Sequence, residues 1–290
     1  MGELKADCIL CGREVEHEPL CDVSFGSIVR CRECSLIHIW PARTDREMVA
    51  LHNDPEYFNH PYFIARRDVD RNSARLRHRN LLKEVVGEHP SPGLKLLDIG
   101  CDTGAFLLVA RDEFHLTVTG CEVSPAAAEV AVKQHQLDVR VGQVADLNLD
   151  PESFDIITMV DVIEHTANPA ALLRDVFPLL RKGGRLYIAT SDHDALINDV
   201  GLILHRVFGR TSRPLLEKLY IPEHEFYFTR RTLSAIVQQA NFEVVSHINY
   251  EFPLDEFGHG LVLKLGLIPM FALQKIFKKQ TLQALTATKK

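Results

Sequence analysis

The chain has 290 residues, a formal net charge of −6 and 46% hydrophobic residues. This length suits one α/β domain with a small appendage, and the composition excludes disorder, collagen and a coiled coil as the main architecture. The acidic balance disfavours wrapping of a polyanion by the whole surface, although a local basic patch is compatible with it. There is neither a run of about 18 uncharged apolar residues nor an N-terminal signal-peptide pattern, so we expect a cytoplasmic protein without a membrane-spanning helix.

Two CxxC pairs lie in the first part of the chain, at Cys8, Cys11, Cys31 and Cys34. Two residues between thiols let one tight turn present both sulfurs to an ion, and two such turns complete the tetrahedral shell that zinc accepts. In a cytosolic chain this spacing favours a metal over disulfides. We predict a zinc-ribbon domain over residues 1–40, stabilised by its metal because so short a segment buries little apolar surface. Free or buried cysteines, and iron as the metal, are the alternatives.

Residues 41–92 are predicted to form a linker and then a helical segment. Proline, asparagine and aspartate punctuate residues 41–60, and a helix is predicted from Phe63 to Val86. The cations of this helix are Arg66, Arg67, Arg71, Arg75, Arg77, Arg79 and Lys83. They fit a solvated helix face, and the alternative is contact with the phosphate of a nucleotide sugar or a nucleic acid.

From Gly93 onward, apolar runs alternate with amphipathic helical patterns, which predicts βαβ units and a parallel sheet. The predicted strands are Lys95–Ile99, Leu116–Cys121, Val139–Val141, Phe154–Val160, Arg185–Thr190, Phe242–Phe252 and Thr281–Thr288. The predicted helices are Gly104–Asp112, Pro125–His135, Pro169–Leu180 and Thr229–Ala240, with Ser124 and Thr229 as N-caps. Gly183-Gly184 is expected to end the helix before the next strand. Residues 192–228 interrupt the alternation and are predicted to be an insertion with short helices.

The most informative stretch is the turn that follows the first of these strands, where a helix also begins. Its glycines allow close approach of a ligand, and the helix N-terminus offers N–H groups. A dinucleotide site needs G-x-G-x-x-G, and two of its three positions fail here, at Asp102 and Ala105. Asp102 would also direct a carboxylate toward a pyrophosphate. The turn therefore favours a cationic ligand over NAD.

Three carboxylates follow three consecutive predicted strands. Asp98 can meet a positively charged amino-acid group at the first strand end. Glu122 ends the second strand, where it can accept both hydroxyls of a ribose, and Asp146 follows the third, where it can accept from an adenine amino group.

These residues resemble the class I S-adenosylmethionine-dependent methyltransferases. The first motif of that family is (D/E)-x-G-x-G-x-G, and the segment DIGCDTG matches it except at Asp102. The resemblance implies a Rossmann-like, doubly wound α/β fold over residues 93–290, with seven strands of which the last is antiparallel. It also implies a lid, formed by residues 192–228, over the acceptor pocket. The lid side chains considered for substrate contact, each more typical of packing, are His193, His205, Tyr220, His224 and Tyr227.

The same resemblance assigns the cofactor contacts. By the motif, Asp98, Gly100 and Gly104 line the methionine end of S-adenosylmethionine. Glu122 holds the ribose and Asp146 the adenine. The neighbouring residues expected in this site are Cys101, Phe106, Val123, Ala145 and Val160. With its cysteine pairs and Pro222-Glu223-His224, the whole chain is similar to bacterial methyltransferases that carry an N-terminal zinc ribbon and act in sugar or glycan pathways.

Asp161, Glu164 and His165 follow the fourth predicted strand, whose end faces the reacting methyl group in this fold. His165 and Asp161 are the predicted catalytic residues. Three roles stay open for His165: support of the fold, general base, or metal ligand. The pattern is similar to the E-x-x-E-H of ubiquinone-type O-methyltransferases, where the cluster can hold a divalent ion, and here the first carboxylate is one methylene shorter.

The predicted function is methyl transfer from S-adenosylmethionine to a small-molecule acceptor: a sugar, a quinone or a lipid-linked intermediate. The first alternative is a nucleic-acid or protein methyltransferase that uses the ribbon as its reader, which the net charge disfavours. The second is a non-catalytic interaction protein with a lapsed cofactor pocket. The amphipathic stretch Leu261–Phe277, followed by two lysines, favours core or homodimer packing over contact with a membrane surface.

Overall fold

The computed structural model describes residues 4–54, 72–251 and 261–290. Its strands are β1 (Leu4–Cys8), β2 (Arg13–Val23), β3 (Gly26–Cys31), β4 (Ile37–Trp40), β5 (Lys95–Ile99), β6 (Thr117–Glu122), β7 (Asp138–Val141), β8 (Phe154–Val160), β9 (Leu180–Ser191), β10 (Phe226–Tyr227), β11 (Glu243–Tyr250) and β12 (Leu282–Thr288). Its helices are α1 (Asp45–His52), α2 (Asn72–Val86), α3 (Ala105–Phe114), α4 (Pro125–His135), α5 (Pro169–Val176), α6 (Leu196–Phe208), α7 (Arg213–Leu219), α8 (Arg230–Gln239) and α9 (Leu261–Phe277). Among these residues, no helix is long and apolar enough to cross a membrane.

The larger sheet has seven strands in the order β11-β12-β9-β8-β5-β6-β7. Strands β5 to β9 are parallel, and β12 pairs antiparallel with both β9 and β11. This arrangement confirms the predicted Rossmann-like sheet with an antiparallel final strand. Because β5 is flanked by β6 on one side and β8 on the other, the chain reverses its direction of travel across the sheet at β5, which is where open α/β sheets bind ligands.

Apolar side chains cover both faces of the large sheet, which explains why the sequences of β5 and β8 are mostly apolar. Leu97 and Ile157 lie in one buried cluster with side chains of α5 and α8. Leu96 and Ile156 lie in a second cluster, with side chains of α2 and α3, on the opposite face. The core therefore fixes the carboxyl ends of these strands, where the polar residues lie.

The smaller sheet is antiparallel, in the order β1-β2-β3-β4-β10. Its last strand comes from far along the chain, because Phe226 and Tyr227 pair with His38 and Ile37 of β4. Buried side chains of this sheet belong to the same apolar cluster as those of the larger sheet. Two hydrogen bonds add to the contact, from Gln239 to the carbonyl of Leu10 and from Arg231 to the carbonyl of Cys34. The two sheets thus share one core.

Most predicted elements are found within a few residues of their expected bounds, and one boundary was wrong. The helix predicted to end at Leu180 ends at Val176, and β9 already begins at Leu180, which pairs with Phe154. Gly183 therefore lies inside β9, with φ of +76°, beside a shift of the β8–β9 register. Its positive φ accommodates a bulge in the strand and does not end the helix. Ser124 is the N-cap of α4 by position, but its side chain makes no capping hydrogen bond.

The segment predicted to be a linker contains helix α1. Thr44 and Glu47 form a capping box, in which the Thr44 hydroxyl accepts from the Glu47 N–H and the Glu47 carboxylate accepts from the Thr44 N–H. The sequence signal is Thr-x-x-Glu, which the proline and asparagine punctuation of this region masked. The predicted helix from Phe63 is observed from Asn72 onward, and residues 63–71 lie outside the described part of the chain.

Candidate active site

A cavity of about 330 Å³ opens at the carboxyl ends of β5, β6 and β8. One wall consists of the glycine turn and of Asp98 and Glu122 at the ends of β5 and β6. The other wall consists of α1, part of α2, the turn after β8 and residues of α5. We call them the strand-end wall and the helix wall.

Asp98 lies at the base of the strand-end wall, where it is 2% exposed. The Thr158 hydroxyl of the adjacent β8 donates a hydrogen bond of 2.6 Å to its Oδ1. Burial raises the pKa of Asp98 to about 7; the Thr158 hydrogen bond opposes this shift and the neighbouring Glu122 adds to it. A buried carboxylate without a cation of its own is suited to a positively charged ligand.

Glu122 ends β6 and holds the glycine turn in place. Its Oε2 accepts from the Asp102 N–H and its Oε1 accepts from the Ser124 N–H, both at 2.8 Å. Burial raises the pKa of Glu122, and the N–H of Ser124 opposes this rise. Because each carboxylate oxygen has a second lone pair, Glu122 can still accept hydroxyl groups of a ligand in the cavity.

The turn between β5 and α3 has left-handed backbone at Gly100, Asp102 and Gly104. A Cβ at Gly104 would lie 2.3 Å from Cδ1 of Leu137, and one at Gly100 would lie 2.6 Å from Cγ2 of Val162. Both glycines are therefore favoured by their positive φ, and a Cβ at either position would also displace a neighbouring side chain. Asp102 has φ of +50°, which Asp tolerates better than most non-glycine residues. The departure from the family motif is thus accommodated by the backbone.

Most of the residues predicted for the site line this cavity. Those in its wall are Asp98, Gly100, Cys101, Phe106, Glu122, Val123, Ala145, Val160, Asp161 and His165. Gly104 supports the turn from behind. Asp146 belongs to the short 3-10 turn Val144–Asp146, is exposed and does not line the cavity, although its neighbour Ala145 does.

The helix wall includes residues that the sequence did not single out for this site. Met48 and His52 of α1 line the cavity, together with Arg77 and His78 of α2. Arg77 is buried and donates to Asp161 Oδ2 at 2.7 Å, so this predicted catalytic residue is held in an ion pair. This partly buried ion pair fixes the turn after β8.

His165 lies beside two other histidines. Its ring centroid is 4.7 Å from that of His224 and 5.2 Å from that of His52. Its Nδ1 lies 2.9 Å from the carbonyl oxygen of Glu223. A carbonyl only accepts, so the proton is on Nδ1 and Nε2 carries the lone pair. Burial lowers the pKa of His165 well below its usual range, and the two neighbouring histidines act in the same direction, which keeps the ring neutral.

The predicted metal cluster of Asp161, Glu164 and His165 needs correction. Donor atoms of Glu164, His165 and His224 lie within 4.8 Å of one another, and Asp161 is not in this group. The expected helical face is absent because Asp161 has φ of +55° and the turn Ile163–His165 begins after it. His224 lies just before β10 and is far from His165 in the sequence, so sequence spacing could not identify it.

The segment predicted as a lid does not cover the cavity, since no described residue of 192–228 lines it. His193 and Tyr220 contact each other through Nε2 and the hydroxyl, at 3.3 Å. Tyr220 and Tyr227 lie in an apolar cluster with β2 and β3 of the small sheet. His205 lies against the hydroxyl of Ser212. The insertion therefore packs on the small sheet, and α1, not the insertion, lines the cavity.

The predicted basic helix is not a continuous cationic face where the structure describes it. Arg75 and Arg79 both pair with Glu113, and Lys83 pairs with Glu88. The first three arginines of the predicted helix, Arg66, Arg67 and Arg71, lie outside the described residues. The part that the structure shows favours neither nucleic acid nor a phosphate.

The four predicted ligand cysteines come together in the small sheet. Cys8 Sγ lies 3.4 Å from Cys34 Sγ, Cys11 Sγ lies 3.7 Å from Cys31 Sγ, and all four sulfurs lie within 4.8 Å of one another. A disulfide requires about 2.05 Å, which excludes sulfur–sulfur bonds here. A tetrahedron with zinc–sulfur bonds of about 2.3 Å has edges of about 3.8 Å, so the cluster fits a tetrahedral metal.

The backbone supports this cluster in both turns. Gly12 and Ser35, each directly after a CxxC pair, have positive φ. The N–H groups of Cys34 and Leu36 donate to the sulfurs of Cys31 and Cys34. Such donors stabilise thiolates and orient them toward a metal.

Comparisons with known proteins agree with this fold. Residues 65–247 match the family described as "Methyltransferase domain". A ubiquinone biosynthesis O-methyltransferase of Xanthomonas campestris is 36% identical over 116 residues, which are 38% of this chain and 48% of that protein. The chain thus spans about half the length of the curated relatives it matches.

Solved structures show the same fold at low identity. Phosphoethanolamine N-methyltransferase 2 of Haemonchus contortus, in complex with S-adenosyl-L-methionine, has a TM-score of 0.60 at 16% identity, covering 87% of this chain and 61% of that one. The 4+2 cyclase SpnF has a TM-score of 0.59 at 16% identity, covering 86% and 98%. The chain belongs to the methyltransferase-domain family and carries an N-terminal ribbon with a cluster of four cysteines.

Proposed function

We propose that the chain binds S-adenosylmethionine in the cavity at the strand ends and methylates a small molecule there. The observation that carries this proposal is the pair of buried carboxylates, Asp98 and Glu122, at the ends of two adjacent parallel strands. The relative from Xanthomonas is named an O-methyltransferase of ubiquinone biosynthesis, which supports a quinol or another phenol as acceptor. Because the fold neighbours include a protein named as a cyclase, the fold alone does not identify the reaction, and the residues of the site must do so.

The strand-end wall supplies the contacts for the donor. Asp98 would meet the cationic amino-acid end, since its carboxylate faces the cavity without a cationic partner among the described residues. Glu122 would accept the ribose hydroxyls with its remaining lone pairs. Asp146 lies on the exposed turn beyond Ala145 and outside the cavity wall. From there its carboxylate would accept from the adenine amino group.

The helix wall supplies the acceptor side of the reaction. S-adenosylmethionine, when bound, supplies an electrophilic methyl group for in-line displacement. His165 would take the proton of an acceptor hydroxyl on Nε2, which carries the lone pair because Nδ1–H donates to Glu223. Arg77 and Asp161 would hold the turn that carries His165. Met48 and Val49 of α1 give this side an apolar surface that suits an aromatic ring.

A divalent ion at Glu164, His165 and His224 is the competing use of the same histidine. A histidine that ligates a metal through Nε2 has no lone pair left to accept a proton, so the two roles exclude each other. The ribbon over residues 1–40 would hold structural zinc and support the methyltransferase domain over residues 93–290, since the four sulfurs fit a tetrahedral shell and leave no open position for chemistry.

The test is transfer of radiolabelled methyl from S-adenosylmethionine to a panel of catechols, quinols and sugars, followed by identification of the methylated atom. We expect a phenolic acceptor, and we expect His165→Asn to lose turnover while it still binds the donor. Failure of every small acceptor, together with salt-dependent retention of the protein on heparin, would favour the nucleic-acid alternative instead. The metal-ligand role of His165 would be favoured if EDTA abolishes turnover and a divalent ion restores it while the ribbon stays without its metal.

A further inference from the structure

Helices α6 and α9 form a surface of exposed apolar side chains. The members of this patch are Ile203, Val207, Phe208, Leu273, Ile276 and Phe277, which are 44% to 72% exposed. An exposed cluster of large apolar residues on two neighbouring helices is unusual for a surface that meets only water.

An ion pair joins the two helices and places their apolar stripes beside each other. Lys279, just after α9, pairs with Asp199 near the start of α6, and the Leu196 N–H donates to the Lys279 carbonyl. Asp199, Ile203 and Val207 are spaced four residues apart and share one face of α6. Ile276 and Leu273 of α9 lie three and six residues before Lys279, so they share one face of the helix. The apolar stripes of both helices therefore start at the same ion pair.

Cations surround this patch. Arg206, Arg210, Lys275 and Lys278 are all exposed, and within the described part of the chain none of them pairs with a carboxylate. The sequence contains no aspartate or glutamate from residue 200 to residue 216 or from residue 261 to residue 281. This local positive charge stands out in a chain whose net charge is −6.

We propose that the patch on α6 and α9 docks on the surface of an anionic lipid bilayer. Apolar side chains entering the acyl boundary, with lysine and arginine at headgroup level, are the arrangement of interfacial helices. A second copy of the chain is a poorer occupant, because a two-fold contact would bring the same unpaired cations face to face. Insertion across the membrane is not implied, since no described helix can span it.

The test is cosedimentation of the full chain with vesicles made of equal parts phosphatidylglycerol and phosphatidylcholine. We expect binding that high salt weakens and that phosphatidylcholine alone does not support. The double variant Val207→Glu/Phe277→Glu should stay in the supernatant. The double variant Leu76→Glu/Val245→Glu, at exposed apolar positions elsewhere, should bind as the wild type does. Each of Lys275→Gln and Lys278→Gln should weaken binding about fivefold.

Three results would overturn this proposal: a wild-type chain that does not bind anionic vesicles, equal binding to both kinds of vesicle, or a dimer in ultracentrifugation that Val207→Glu/Phe277→Glu dissociates. Circular dichroism checks that both double variants fold. Because the readout is vesicle binding, its outcome is independent of methyl transfer.

Discussion

The two walls of the cavity are built in different ways. The strand-end wall comes from residues at and directly after the ends of β5 and β6, held by the core of the large sheet. The helix wall depends on the small sheet, because α1 follows β4, and Glu223 and His224 precede β10. Buried Glu225 connects these parts: its N–H donates to the Glu164 carbonyl, its carbonyl accepts from Ile39, and its carboxylate accepts from the Arg43 N–H.

From this difference we infer that the ribbon positions residues of the helix wall. The four-cysteine cluster lies in the small sheet, and it can influence the cavity because His224 lies just before β10 of that sheet and α1, which ends at His52, follows its strand β4. We therefore expect changes in the strand-end wall to alter donor binding, and changes in the helix wall or the ribbon to alter turnover.

The largest expected effect comes from substitution of His165, which should lower turnover but not the affinity for the donor. His165→Asn should lower kcat by roughly 10²- to 10⁴-fold, because a positioned base is lost. The affinity for S-adenosylmethionine should stay within about twofold of the wild type, since a change well below 1.4 kcal/mol is expected there. Steady-state kinetics and calorimetry measure the two quantities, and His205→Asn, in a histidine outside the cavity, is the matched control. Equal loss of donor binding would break the division between the walls.

Removal of metal from the ribbon should act on the helix wall alone. A displacement of about 1 Å in His224 or α1 is expected to lower turnover roughly a hundredfold, whereas donor affinity should persist. Phenanthroline treatment, and Cys11→Ser against Cys21→Ser as control, test this with metal analysis and titration of the donor. A chelated protein that turns over normally would show that the ribbon does not position the site.

The pH dependence of donor binding should report the strand-end wall. A cationic ligand prefers ionised Asp98, whose pKa lies at about 7 in the ligand-free protein. Affinity should therefore fall as pH drops below about 7, by up to roughly tenfold per unit, and Asp98→Asn should abolish this dependence.

Ionisation of Asp98, which favours donor binding, lowers the stability of the ligand-free protein. The pKa of Asp98 is raised above its unfolded value of about 4, so the ligand-free protein should lose stability as pH rises from about 4 to about 7. Asp98→Asn should raise the Tm at neutral pH while it weakens donor binding. An unchanged or lower Tm in this variant would show that the buried charge is compensated within the fold.

The smallest effect tests α1 itself. Thr44→Ala removes the N-cap of α1 and should cost about 1 kcal/mol of stability. Thr229→Ala removes the equivalent capping box of α8, away from the cavity, at a similar cost. Only Thr44→Ala should raise the KM for the acceptor, by a few-fold, if α1 forms the acceptor side. Identical kinetics for the two variants would argue against that role.

How much of the site could be predicted from the sequence also differs between the walls. Strand, turn and helix are contiguous around Asp98, and strand ends meet at one edge of a parallel sheet, so Glu122 could be placed with it. The helix wall joins segments near residues 48, 77 and 165, with His224 in contact with His165, and no local pattern indicates that they meet. Arg77 was visible only as one cation among several, and its partner Asp161 lies 84 residues away.

Other differences follow from the same physics. The overall fold was predictable because buried parallel strands and capped helices leave periodic signals. The position of α1 was missed although Thr44 and Glu47 carried its start signal. The insertion was assigned to the pocket because the family resemblance implies a lid after the fifth strand, whereas its Tyr220 and Tyr227 are buried against the small sheet.

The most direct test of the central claim is calorimetric titration of S-adenosylmethionine into the wild type, Glu122→Gln and Glu129→Gln, with NADH as a competing ligand. Glu129 is an exposed carboxylate on the neighbouring α4 and serves as the matched control. We predict roughly micromolar binding by the wild type and by Glu129→Gln, a loss of about a hundredfold in Glu122→Gln, where the charge is lost and one carboxylate oxygen becomes an NH2 group that cannot accept a ribose hydroxyl, and no competition by NADH. Absence of binding to the wild type, or unchanged binding by Glu122→Gln, would contradict the assignment of this cavity to the methyl donor.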